Sequence, residues 1–135
     1  MDPAQTEALA AELAAGLSPG DVVLVEGELG AGKTTFVRGA CRALGVEGVV
    51  TSPTFTIGQR YPAAVPVSHL DLYRVADMGE EDPDLLDEYL GPDRIAFVEW
   101  PRSAVATIAG LARVAARVVI EHGGGYRRVL TIEAP

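Results

Sequence analysis

Asparagine is missing from the chain, and lysine, cysteine and tryptophan occur once each, as Lys33, Cys41 and Trp100. Without asparagine, the Asn-Lys-x-Asp readout of guanine cannot be written, which excludes that kind of GTPase. A single cysteine excludes an internal disulfide and fits a reducing cytoplasm. Cys41 itself lies among apolar helical residues and reads as a small core side chain. No apolar run approaches membrane-spanning length, and the N-terminus lacks the basic-then-apolar layout of a signal peptide, so the expectation is a soluble protein with no membrane partner. Positive charge is also scarce: 11 Lys and Arg stand against 19 Asp and Glu, for a net charge of −8 and a pI near 4.6. Such a surface argues against a direct grip on nucleic-acid phosphates, so any RNA involvement is expected to run through a protein partner. Side-chain amides are limited to Gln5 and Gln59, a bias in keeping with a thermophile or a GC-rich genome. There is no internal repeat, linker or low-complexity tract.

What is present is enough for one domain: 135 residues, 48% of them hydrophobic, can build a single sizeable core. Gly27-Glu28-Leu29-Gly30-Ala31-Gly32-Lys33-Thr34 satisfies the phosphate-loop pattern G-x-x-x-x-G-K-S/T at every fixed position. Asp21 to Glu26 before it is a short β-branched run, and Thr35 to Leu44 after it has helical spacing closed by Gly45. Glycines at 27, 30 and 32 let backbone amides approach phosphate oxygens, and the positive end of the following helix completes an anion cradle. Lys33 can bridge the β- and γ-phosphates, and the Thr34 hydroxyl can ligate magnesium. Every other basic residue is arginine, and a planar guanidinium substitutes poorly for an ammonium inside a tight loop.

Around this loop the chain divides into short elements. Asp2 to Leu17 reads as an Ala-rich helix with Leu9, Leu13 and Leu17 at fourfold spacing, packed on the sheet, with Thr6 as its N-cap or as a nucleotide contact. Pro53 interrupts Thr51 to Ile57, a loop feeding a strand, in which Thr54 is a candidate for sensing the γ-phosphate and its metal. Pro62 to Pro66 is a hairpin loop, and Val65 to Tyr73 returns as a strand whose Asp71 reaches the carboxyl rim where ligands of open α/β sheets bind. Asp71 can therefore reach the metal or its waters, or be a turn acid. His69, two residues earlier on the same side, reads as a structural hydrogen-bonding residue. Asp82 to Gly91 is a short capped helix within an acidic, solvated stretch. Ile95 to Glu99 is a buried strand of four apolar residues and one acid, the Walker B layout, which makes Glu99 the metal-site acid. A short Ala-rich segment from Ser103 follows, and Val114 to Glu121 with Arg127 to Glu133 forms a terminal antiparallel hairpin covering a sheet edge. The fold class is α/β, a phosphate-loop NTPase type of three layers, with a largely parallel central sheet and antiparallel edge strands or hairpin.

Four separated motifs, the loop through Thr35-Phe36, then Ser52-Pro53-Thr54-Phe55-Thr56, His69-Leu70-Asp71-Leu72-Tyr73-Arg74 and Val98-Glu99-Trp100-Pro101, resemble the bacterial TsaE (YjeE) family in order and spacing. The resemblance implies an ATPase needed for threonylcarbamoyladenosine at the position beside the anticodon of tRNA, working with the TsaD and TsaB proteins and meeting tRNA only through them. It implies ATP and Mg2+ as cofactors. Gly27, Glu28, Leu29, Gly30, Ala31, Gly32, Lys33, Thr34 and Thr35 would hold the nucleotide, with Thr6, Thr54 and Trp100 beside it. Thr34, Glu99 and Asp71 would hold the metal, and Lys33, Asp71 and Glu99 would serve hydrolysis. Trp100 would be a fluorescence reporter next to the site. With no obvious water-positioning glutamine, and Arg60 and Arg74 only candidates for an arginine finger, slow turnover alone and acceleration on partner docking are expected. Two rivals are a small nucleoside or nucleotide kinase, which would need a basic lid that no segment supplies, and an assembly factor gated by nucleotide binding rather than cleavage.

Overall fold

β1 (Asp21–Gly27) is the middle of the molecule: Val22, Val23, Leu24 and Val25 are all buried, as a β-branched run with cover on both faces must be. In the computed structural model, residues 2–27, 32–48, 50, 58–72, 86–101, 105–123 and 128–133 are described. They form α1 (Pro3–Ala15), β1, α2 (Lys33–Ala43), β2 (Gly58–Tyr61), β3 (Val67–Asp71), β4 (Ile95–Glu99), α3 (Val105–Leu111), β5 (Arg113–His122) and β6 (Arg128–Glu133). The strands make one six-stranded sheet in the order β2-β3-β4-β1-β5-β6. Its four inner strands are parallel, while β2 and β6 join antiparallel at the two edges.

Alternate residues of each inner strand feed two apolar layers. Val23, Val25, Phe97 and Val118 face α2, whose Phe36, Val37, Ala40 and Cys41 close that core, and α1 adds Ala10 and Ala14. Val22, Leu24, Leu70 and Val98 face the opposite way, onto Ile108 of α3 and onto Leu86 and Leu90. Burying a side chain such as Phe36 or Phe97 contributes about 1.5–3 kcal/mol, so the two layers account for most of the cohesion. Burial also pushes the Cys41 thiol up to about 12, leaving it protonated and inert.

Four expectations are corrected. The N-cap of α1 is Asp2, not Thr6: Asp2 accepts from the Gln5 amide at 2.8 Å, the Gln5 side chain returns the bond to the Asp2 amide, and Pro3 opens the helix. The residues α1 buries are Thr6, Ala10 and Ala14, while Leu13 and Leu17 only flank the core. Its main partner is α2 rather than the sheet, because a Cβ on Gly39 would lie 2.6 Å from the Glu7 Cα, an approach that only small residues permit. β5 does pair antiparallel with β6, as the terminal hairpin predicted, but it is not the edge strand. It runs parallel to β1 inside the sheet, and only β6 lies at the edge.

An ion pair joins the starts of β1 and β5. Arg113 donates to the Asp21 carboxylate through two nitrogens, at 2.7 and 3.0 Å, and Asp21 also accepts from the Ser18 amide at 2.8 Å. Burial alone would raise the Asp21 carboxyl, but Arg113 and the Ser18 amide outweigh it and hold the group below its ordinary value. Further along, Arg117 and Glu26 pair across the same two strands.

Candidate functional site

The carboxyl ends of β1, β3 and β4 meet the start of α2. β1 ends on Gly27 at φ 151°, and a Cβ there would lie 2.2 Å from the Ile120 carbonyl oxygen of β5. Gly32 caps α2 in the left-handed region at φ 103°, with no described residue near its missing Cβ. α2 therefore begins at Lys33, two residues before the helical spacing alone would start it. Glu28, Leu29, Gly30 and Ala31 lie outside the described residues, as does Thr54.

Lys33 is buried and donates from Nζ to the Gly27 carbonyl at 3.0 Å, so the ammonium folds back over the loop. The Trp100 ring covers it, with Nζ 4.2 Å from the ring centroid, a cation–π arrangement. Trp100 reaches that position because its backbone turns into the left-handed region at φ 54° directly after β4, while its amide still donates to the Val25 carbonyl at 3.1 Å. Loss of solvent lowers the Lys33 ammonium below its ordinary value, and the charges of Glu99 and Asp71 act against that shift.

Glu99 ends β4 and is 2% exposed, so it is not a strand-end acid in water. The parallel register sets Asp71 of β3 on one side of it and Val25 of β1 on the other. Thr34 Oγ1 donates to Glu99 Oε2 at 3.3 Å, and His69 Nε2 bonds the same oxygen. Lys33, Thr34, Asp71, Glu99 and Trp100 are thus brought together as expected. Thr35 is half-buried on the first turn of α2. Thr6 is buried in the layer between the helices, and no described contact joins it to the site.

His69 was legible only as a hydrogen-bonding residue, and its partner was hidden. Alternation along β3 puts it on the face of Asp71, but only the register with β4 brings it to Glu99. Among the described residues no three His, Cys, Asp or Glu side chains gather as a metal cage. One hydroxyl and two carboxylates are hard oxygen donors, a set suited to magnesium that keeps water and borrows ligands from phosphates.

Residues 1–129 match the family model of "Threonylcarbamoyl adenosine biosynthesis protein TsaE". A Bacillus subtilis tRNA threonylcarbamoyladenosine biosynthesis protein TsaE is 41% identical over 136 residues, covering 99% of this chain and 82% of the relative. Its Streptomyces coelicolor counterpart is 46% identical over 101 residues, covering 72% and 68%. The crystal structure of Bacillus subtilis YdiB superposes with a TM-score of 0.78 at 34% identity, covering 99% of this chain and 81% of that one.

Proposed function

The chain belongs to the TsaE family of threonylcarbamoyl adenosine biosynthesis proteins, and from that premise we propose that it is a magnesium-dependent ATPase acting with the TsaD and TsaB proteins on that tRNA modification. The observation that carries the reading is the convergence of Lys33, Thr34 and Glu99 at the ends of β1 and β4.

Each residue has a task that its surroundings favour. Lys33, desolvated beneath Trp100, places a compact positive charge where the phosphate loop turns into α2, and the positive end of that helix adds to it. Thr34 donates its hydroxyl hydrogen bond to Glu99, which turns its oxygen toward the place where a metal would sit. Glu99 and Asp71, side by side in register, supply the carboxylates for the metal or its waters, and Asp71 orients the attacking water. Bound magnesium would neutralise charge on the phosphate oxygens. Positioning and charge stabilisation then do most of the chemistry, so turnover is slow until a docked partner orders a missing group.

Calorimetric titration with ATP and Mg2+, paired with phosphate release, tests this assignment. Lys33→Ala is expected to lose ATP binding. Glu99→Ala is expected to keep most of it while hydrolysis falls by about 10³-fold, the scale on which single groups act in phosphoryl transfer. Micromolar ATP affinity retained by Lys33→Ala would overturn the reading, and phosphate transfer to a nucleoside would favour a kinase.

A further inference from the structure

Resting on the reading of this pocket as a magnesium–nucleotide site, we propose that His69 is a positioning residue for the metal: it pins one oxygen of Glu99 so that the carboxylate presents the other to the ion or its water shell. His69 is wholly buried in β3, opposite Phe97 in the β3–β4 register and two pairs before Asp71 and Glu99, hence on their face of the sheet. From there its ring meets Glu99 through Nε2. An ionised carboxylate only accepts, so Nε2 carries the hydrogen, and Thr34 Oγ1 is the second donor. Both donors land on Oε2, and two bonds to one oxygen fix the plane of the group while leaving Oε1 to neither.

Among the described residues the ring has no competing polar tie. Its Nδ1 is buried without a described hydrogen-bond partner, so packing and Glu99 set the orientation of the imidazole. A histidine serving only the core would be expected to anchor a backbone carbonyl or another structural group. This one directs its single polar contact at the acid on which the proposed metal depends. Outer partners of metal-ligating groups act in this way, holding the ligand in the orientation that the ion needs.

The test reads magnesium affinity rather than turnover. Binding of a non-hydrolysable ATP analogue is followed by calorimetry in EDTA and then across a magnesium titration, for the wild type, His69→Gln, His69→Asn and His69→Ala. Glutamine can place a donor near the Nε2 position, whereas asparagine offers one only near Nδ1. His69→Gln is expected to keep the wild-type magnesium midpoint, and His69→Asn and His69→Ala to need about 10–100-fold more magnesium. Analogue affinity in EDTA should stay the same in all four. A folded His69→Asn or His69→Ala with an unmoved midpoint overturns the proposal, as does a His69→Gln midpoint displaced as far as that of His69→Ala. If both Asn and Ala variants fail to fold, His69 is a core residue and the proposal falls. Failure of the wild type itself to bind the analogue would instead overturn the nucleotide-site reading.

Discussion

Two glycines of one motif serve different physical needs. Gly32 needs its left-handed backbone, and no described residue crowds its missing Cβ, whereas Gly27 also needs the room, because Ile120 of β5 presses its carbonyl oxygen into that space. Gly32→Ala is therefore expected to cost about 1–3 kcal/mol, the usual scale of strained backbone. Gly27→Ala should cost clearly more, since a clash with main chain cannot relax by turning a side chain. Urea unfolding of the two variants ranks them, and equal midpoints would contradict the distinction. Both glycines were plain in the pattern, but the neighbour that separates them comes from a strand more than ninety residues away and is invisible to local spacing.

Between elements, the closeness of α1 and α2 decides how the helical layer sits on the sheet. Glu7 backbone atoms stand 2.6 and 2.7 Å from where a Gly39 Cβ would be. Alanine would gain about 1 kcal/mol of helix propensity over glycine, yet the backbone contact leaves it no space. Gly39→Ala is accordingly expected to lose a net ~1–2 kcal/mol and to melt several degrees lower, and a higher melting temperature would refute the tight crossing. The leucine spacing in α1 suggested the wrong stripe here because large apolar residues usually mark the buried face. At a crossing this close, small residues take that face and the leucines move to its flanks. Strand alternation was a better guide. It placed His69 with Asp71 and made Glu99 the terminal acid of a buried strand, but alternation assigns faces and not neighbours, so the His69–Glu99 contact and the parallel seat of β5 waited on the register.

Seen whole, the parallel core with antiparallel edges gathers every described site residue except Thr6 at one end of the sheet, while the Asp21–Arg113 pair ties down the other. That arrangement was readable in outline, since a phosphate loop and a buried strand ending in an acid pointed to a largely parallel sheet, but the strand order that sets β4 beside β1 was not. The partners are a matter for the assembled molecule: the wild type is expected to capture TsaD and TsaB from native extract in the presence of ATP, and Lys33→Ala to capture much less. Equal capture by the two would mean that docking ignores the nucleotide. Because folding itself strips water from the Lys33 ammonium and seats it beneath the Trp100 ring and against a carbonyl, a phosphate bound as proposed would meet a cation already largely desolvated. Its affinity would then reflect an exchange of partners, with much of the dehydration completed before the ligand comes.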